Sequence, residues 1–312
     1  MRSAGRRFCP FCGAAQPAPV GRIYRQRRFK MAEIIRFAVI GDCHHSYKEN
    51  YGNRDCLGAN KRLGEILDIL NERELDFVFS MGDLGDGHVI EEAPAVLETF
   101  AKSKYPVKYA IGNHDLCRRS DVEHAELIGM PGVNYEFARG GYRFIVLNPF
   151  ERSRYSRVEE DKKFYWDFRK NNPDVPVQEW PGFFRESTWS WLESTLDEAQ
   201  AKGENVVIFC HVPALSDACA RPEGDPGYHH PTARLVEYDR MLTLMDKYKN
   251  IRAYIAGHYH PGGLVIRKGV MHKTVRSVCD HHFPTACIVV ADAERIKIDG
   301  IGMETSFIHY FD

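Results

Sequence analysis

The chain alternates short, continuously apolar runs with segments whose apolar residues recur every three or four positions. The first apolar run spans 34–40, and the segment 57–74 that follows places Leu63 and Leu70 on one face of a helix. A second short run at 76–80 completes a strand–helix–strand unit. This order of elements is typical of an α/β domain in which helices connect parallel strands.

The same alternation continues through most of the chain and changes near its end. It predicts helices at 91–102, 188–202 and 235–248, and strands at 107–111, 142–147, 205–210 and 251–256. Beyond Gly257 the helical periodicity stops, because the remaining apolar runs are short and separated by turn residues. These runs predict hairpin strands at 263–266, 270–274, 286–291 and 295–298.

Composition places the chain among ordinary globular proteins. Of its 312 residues, 44% are hydrophobic and 27% are charged, which excludes disordered and collagen-like classes. It has no run of about 18 apolar residues and no apolar segment typical of a secretory signal. Its nine cysteines are scattered rather than arranged as a dense disulfide framework. We therefore expect a cytoplasmic protein with reduced cysteines.

The amino-terminal segment differs from the rest in charge. Residues 1–32 carry eight basic and no acidic residues, so the 34 other basic residues of the total of 42 face all 43 acidic ones. We interpret 1–32 as a poorly ordered basic tail before a domain at 33–312, since prolines and glycines interrupt any periodicity. An acidic body with a net charge of −9 argues against a nucleic-acid polymer as partner and suits a site that binds cations.

The tail contains one motif with chemical potential. Cys9 and Cys12, followed by Gly13, have the spacing of half a zinc ribbon, but the chain has no second CxxC pair. The pair is therefore a zinc site completed by a partner chain or by another ligand pair, or part of a solvated tail. A third interpretation is that it lies upstream of a true start at Met31.

Polar side chains directly follow five of the predicted strands. Ligand groups in open α/β sheets collect beyond the carboxyl ends of the strands, so we expect these side chains to converge. Each motif is weak alone, because Gly-Asp and Asn-His also occur in ordinary turns. Their repeated occurrence at strand ends favours a site. The residues are Asp42 and His44; Asp83; Asn113, His114 and Asp115; His211; and His258 and His260.

The donor types in this set predict a metal centre. Carboxylate, amide oxygen and neutral imidazole suit manganese, iron or zinc, while the near absence of thiolate argues against a structural zinc cage. Two metals fit better than one, because a carboxylate can bridge cations about 3.5–4 Å apart that together stabilise a displacement at phosphorus. The residues therefore predict a dinuclear phosphoester hydrolase.

The series D-x-H, GD, GNHD, H and GHxH between 34 and about 300 resembles the signature of calcineurin-like metallophosphoesterases. The resemblance implies an α/β fold, a four-layer α/β-β/α sandwich of two mixed sheets flanked by helices. It also implies hydrolysis by attack of a hydroxide that bridges two divalent metals. The implied ligands are Asp42, His44 and His260 for the first metal, Asn113, His211 and His258 for the second, and Asp83 as the bridge.

The same resemblance implies roles for the remaining motif residues. His114 would face the leaving group as a proton donor or charge stabiliser, and Asp115 would orient its ring. Cys210 stands where many members have glycine, and Cys43 lies between two implied ligands. We expect both cysteines to pack as small buried hydrophobes.

Several segments are similar to a narrower branch, the manganese-dependent ADP-ribose/CDP-alcohol diphosphatases. That similarity implies a nucleoside diphosphate linked to a sugar or an alcohol as substrate, cleaved into two phosphomonoesters, and it favours manganese over iron or zinc. The chain departs from the branch at His44, where glutamine is usual. The similar segments are Trp191-Leu192, His211-Val212-Pro213 and the stretches 82–87, 256–263 and 269–274.

A long insertion at 151–187 mixes aromatic and basic residues. Phe164, Trp166 and Trp180 are among its aromatic side chains, and Arg152 is among its basic ones. The mixture could stack a base and bind a phosphate as a lid, or the aromatics could form a satellite core; both interpretations can hold together. The substrate-binding residues therefore stay unassigned.

Two other functions compete with the diphosphatase. A phosphomonoesterase or phosphoprotein phosphatase would use the same metal centre, because substrate choice resides in variable loops. A non-catalytic interaction scaffold is the third alternative. The full set of implied ligands argues against it, since a scaffold needs no bridging aspartate.

Overall fold

The computed structural model describes residues 33–50, 52, 54–175, 182–219, 233–280 and 282–311. The predicted tail at 1–32, with Cys9 and Cys12, lies outside the described residues, as does Trp180 of the insertion. Among the helices that are described, none combines the length and the apolar character needed to cross a membrane.

The described residues form twelve strands and six α-helices. The strands are β1 (Ile35–Ile40), β2 (Phe77–Ser80), β3 (Val107–Tyr109), β4 (Tyr135–Arg139), β5 (Tyr142–Leu147), β6 (Asn205–Cys210), β7 (Ile251–Ala256), β8 (Gly263–Arg267), β9 (Val270–Thr274), β10 (Ala286–Ala291), β11 (Arg295–Ile301) and β12 (Phe307–Tyr310). The helices are α1 (Cys56–Asn71), α2 (Glu92–Phe100), α3 (Asp121–Leu127), α4 (Glu159–Asn171), α5 (Glu186–Lys202) and α6 (Tyr238–Lys247).

The strands build two mixed six-stranded sheets, in the orders β12-β11-β10-β1-β2-β3 and β4-β5-β6-β7-β9-β8. Strands β1 to β3 are parallel, as are β5, β6, β7 and β9, while every other neighbouring pair in the two sheets, including β1 and β10, is antiparallel. The predicted sandwich of two mixed sheets flanked by helices is confirmed. The late hairpins separate, because β8 and β9 join the second sheet and β10 and β11 join the first.

The inner faces of the sheets meet in an aromatic core. Phe79 of the first sheet stacks on Phe209 of the second with ring centroids 3.8 Å apart. Phe37 meets Phe144 edge to face at 5.5 Å. Each such ring is fully buried and contributes roughly 1.5–3 kcal/mol by leaving water. The core fixes the two sheets against each other, and with them the strand ends that carry the predicted ligands.

Helices cover the outer faces with the apolar stripes that the sequence predicts. In α1, Leu63 and Leu67 pack with Ala38 and Val78 of the first sheet. The helices α5 and α6 cover the second sheet in the same way. Cys43 and Cys210 belong to these outer clusters, so the prediction that both pack as buried hydrophobes is confirmed.

Candidate metal centre

The structure brings the ends of five strands together. The predicted residues follow β1, β2 and β3 in one sheet and β6 and β7 in the other. Contacts across the sheets are direct, since the His258 amide donates to Asp42 Oδ2 at 2.8 Å. The convergence expected from the sequence is therefore observed across both sheets.

Two glycines in these motifs allow the close approach. A Cβ atom on Gly112 would lie 2.1 Å from Asp83 Oδ1, and one on Gly257 would lie 2.4 Å from Asp42 Oδ1. No side chain fits at such distances, so glycine is required where neighbouring strand ends crowd around carboxylates.

The backbone is strained at three of the predicted ligands. His44, Asp83 and His258 have φ values of 48°, 50° and 64°, which lie in the left-handed region. Non-glycine residues rarely adopt this region, and each instance costs on the order of 1–3 kcal/mol. Strain of this kind clusters at functional sites, where the surrounding fold holds side chains in an otherwise unfavourable direction.

Asp83 occupies the centre of the site. Its Oδ2 atom lies 3.3 Å from His44 Nε2 and also 3.3 Å from His211 Nε2. Its Oδ1 atom accepts a 2.7 Å hydrogen bond from the His114 amide. One buried carboxylate thus stands between two histidines that come from different sheets.

On one side of Asp83, two imidazoles face each other. His44 Nε2 and His260 Nε2 are 3.0 Å apart, and His260 Nε2 lies 3.5 Å from Asp42 Oδ2. The other nitrogen of each ring, Nδ1, contacts a carboxylate. His44 Nδ1 lies 2.9 Å from Asp86 Oδ1, and His260 Nδ1 lies 2.9 Å from Asp280 Oδ1.

These contacts fit a cation between the two rings. When each Nδ1 donates a hydrogen bond to its carboxylate, each Nε2 is left to direct a lone pair at a metal ion. Burial lowers the pKa of His44 to about 3, which keeps its ring neutral. Two Nε2 atoms 3.0 Å apart can both bind one cation. Asp42 Oδ1 adds a buried acceptor with no hydrogen-bond partner among the described residues.

The other side of Asp83 also attracts positive charge. Burial alone would lower the pKa of His211, but Asp83 and Asp42 outweigh it and raise that pKa to about 10. His211 Nδ1 donates to the Met81 carbonyl oxygen at 2.7 Å, which turns Nε2 toward Asp83. His258 Nδ1 lies 3.0 Å from Asn113 Oδ1. A second cation would take the place of the proton on His211.

His114 is more exposed than His44 and His211. Its side chain is 22% exposed, against 1% for His44 and 0% for His211. The ring packs edge to face on His44 with centroids 4.4 Å apart, and Nδ1 lies 2.8 Å from the Asp86 carbonyl oxygen. It is near enough to His44 and Asp83 to share an ion, so exposure rather than distance separates His114 from His44 and His211.

Asp115 binds the backbone around Asp83. Its carboxylate accepts hydrogen bonds of 2.9 Å from the backbone amides of Gly112, Asp83 and Leu84. It therefore fixes the backbone that carries Asp83, while the His114 ring contacts Asp86. The role expected for Asp115 in orienting the His114 ring stays a prediction.

Two carboxylates of the site were missed in the sequence. The sequence could have indicated Asp86, because it follows Asp83 by three residues within 82–87, a stretch similar to the diphosphatase branch. It contacts the rings of His44 and His88, each at 2.9 Å. No feature of the sequence indicated Asp280, because it does not directly follow a predicted strand. Asp86 and Asp280 contact the predicted ligands His44 and His260 at Nδ1, and neither belongs to the predicted ligand set.

The described residues of the insertion include α4. Phe183 packs edge to face on Phe164 and Phe168 with ring centroids 5.2 Å and 4.7 Å away. The Arg152 guanidinium lies 3.6 Å above the Phe164 ring. These aromatics form a satellite core, which supports the packing interpretation. Trp166 differs, being 52% exposed.

The fold and the site together define a metal-dependent phosphoesterase. The model of the calcineurin-like phosphoesterase family matches residues 35–262, well over half of the chain. The chain belongs to this family and is a phosphoester hydrolase.

Among its relatives are proteins named manganese-dependent ADP-ribose/CDP-alcohol diphosphatase. The one from Oryza sativa is 26% identical over 282 residues, covering 79% of this chain and 84% of the relative. The one from Danio rerio is 27% identical over 321 residues, covering 86% and 96%. A crystal structure of a dimetal phosphatase from Danio rerio shares the fold, with a TM-score of 0.80, 21% identity and coverage of 89% and 99%.

Proposed function

We propose that the chain hydrolyses the diphosphate bond of a nucleoside diphosphate linked to a sugar or an alcohol, with two manganese ions. The observation that carries the metal part is the position of Asp83 Oδ2, 3.3 Å from one histidine on either side. The names of the relatives support the substrate class.

The proposed ligands divide around this carboxylate. The first ion has three buried donors besides Asp83, and the second has two histidines and an amide oxygen, which together suit manganese. The proposed ligands are Asp42, His44 and His260 for the first ion, Asn113, His211 and His258 for the second, and Asp83 for both.

When bound, the two ions would supply Lewis-acid polarisation at phosphorus and a water of lowered pKa. The chain supplies the rest. Asp115 holds the turn of Asp83 through three backbone amides. Because Nδ1 of His114 faces the Asp86 carbonyl oxygen, Nε2 is the atom that passes a proton to the leaving group. The partial exposure of His114 gives that group access.

A substrate panel tests the proposal. The purified chain with Mn²⁺ is expected to convert ADP-ribose to AMP and ribose 5-phosphate, and CDP-choline to CMP and phosphocholine. We expect kcat/KM for these diphosphates to exceed that for p-nitrophenyl phosphate by at least about tenfold, or about 1.4 kcal/mol. A cyclic nucleotide and bis-p-nitrophenyl phosphate complete the panel.

The controls separate the proposal from its alternative. Chelation should abolish turnover, and added Mn²⁺ should restore it. Inorganic phosphate as the first product, or a preference for the monoester, would instead indicate a phosphomonoesterase with the same metal centre.

A further inference from the structure

Two carboxylates from different parts of the chain contact the Nδ1 atoms of the facing imidazoles, His44 and His260, in the candidate metal centre. Asp86, which holds His44, lies inside the stretch matched by the family model, whereas Asp280, which holds His260, lies 18 residues past its end at residue 262. Asp280 thus belongs to the part of the chain for which the family match assigns nothing.

Asp280 closes a short stretch, Arg276–Asp280, which we call the support segment. The support segment contacts the backbone on both sides of the first metal position. The Val278 amide donates to the Asp42 carbonyl oxygen at 2.8 Å, and the Ser277 amide donates to the His260 carbonyl oxygen at 3.1 Å. Its position is therefore tied to two of the proposed ligands.

The amino-terminal end of α1 braces the support segment from the other side. Arg62, which is buried, donates from Nε to the Val278 carbonyl oxygen at 3.0 Å. The same guanidinium binds Asp55 at 2.5 Å, and the Asp55 amide donates to the Cys279 carbonyl oxygen at 2.8 Å. These contacts fix the support segment, and with it Asp280.

We propose that Asp280 is a positioning residue that sets the affinity of the first metal ion by fixing the tautomer and orientation of His260. This inference rests on the proposed metal centre. A neutral imidazole that binds a metal ion through Nε2 keeps its proton on Nδ1. Asp280 Oδ1 lies 2.9 Å from His260 Nδ1 and accepts a hydrogen bond from that N–H group. The other neighbour of Nδ1 is Cys279 Sγ at 3.7 Å, a weak acceptor that cannot replace a carboxylate.

Titration of the purified full chain with Mn²⁺, following free Mn²⁺ by electron paramagnetic resonance, tests this role. The wild type should bind two ions. Asp280→Ala should weaken one site about 10- to 100-fold and leave the other unchanged, in line with the usual effect of removing such a partner. Asp280→Asn should lose less, because its amide oxygen still accepts from Nδ1. Asp246→Ala, which breaks a surface pair with Arg267 at 2.6 Å, is the matched control and should bind like the wild type.

Other results would overturn the inference. Unchanged binding by Asp280→Ala would show that His260 needs no such partner. Equal weakening of both sites, with a lower Tm, would show a purely structural role. An asparagine variant as weak as the alanine variant would contradict the tautomer argument. A wild-type chain that binds fewer than two ions would overturn the proposed metal centre itself, and this inference with it.

Discussion

Asp83→Asn is expected to lower kcat/KM by about a thousandfold or more and to leave at most one Mn²⁺ per chain. Asparagine offers a single neutral oxygen where, in the proposed centre, two ions would share a charged carboxylate. A thousandfold loss corresponds to about 4 kcal/mol, the order of stabilisation that metal ions supply to a transition state. Activity assays and metal analysis of the same preparation measure both effects.

The exchange is designed to spare the fold. Asparagine tolerates the left-handed φ of 50° at this position, and its oxygen can still accept from the His114 amide. Thermal unfolding should confirm a folded variant. The control is Asp197→Asn, an isosteric exchange on α5, where Asp197 accepts a hydrogen bond from the Tyr248 hydroxyl. This variant should keep full activity. An Asp83→Asn enzyme with wild-type turnover and two ions would contradict the bridging assignment.

His114→Ala is expected to lower kcat for the diphosphate substrate by about 10²- to 10⁴-fold while both ions stay bound. The range is that of a lost general acid. The ions should stay because the seven proposed ligands do not include the partly exposed His114 ring. Turnover under saturating substrate, paired with Mn²⁺ titration, separates the two quantities.

The leaving group provides a sharper control for the same variant. The p-nitrophenolate ion departs without needing a proton, so bis-p-nitrophenyl phosphate should lose far less activity in His114→Ala than ADP-ribose does. Equal losses on both substrates would contradict proton donation. Loss of a metal ion would show that His114 is a ligand.

Buried strands were predictable because their sequences are apolar throughout. The predicted ranges for β5, β6 and β7 agree with the structure at both ends, since parallel central strands are covered on both faces. The edge strands β4 and β12 were missed, although the edge strands β3 and β8 were predicted. In β12, Ile308 and Tyr310 are 42% and 59% exposed, so no continuous apolar run marks the strand.

The helix of the insertion escaped prediction for a related reason. Most side chains of α4 are charged, and only Asp161 and Tyr165 are buried among its thirteen residues. Such a helix has no apolar stripe that periodicity can detect. Its position depends on tertiary contacts instead, such as the 2.6 Å ion pair between Asp161 and Arg185.

At the site, the sequence identified the residues that follow strands but not those that support them. Asp42, Asp83 and His211 were predictable because a strand end fixes their place. Asp280 lies next to His260 because hydrogen bonds hold its segment against residues far away in the chain, such as Asp42 and Arg62. The orientation of the Asp115 carboxylate depends on three backbone amides, which motif spacing does not encode.

The central claim is that two ions share Asp83, and anomalous X-ray diffraction from Mn²⁺-loaded crystals tests it most directly. We predict two manganese peaks about 3.5–4 Å apart, with Asp83 between them. His44 and His260 should contact one peak, and His211 and His258 the other. A single peak, or two peaks that do not share Asp83, would contradict the account.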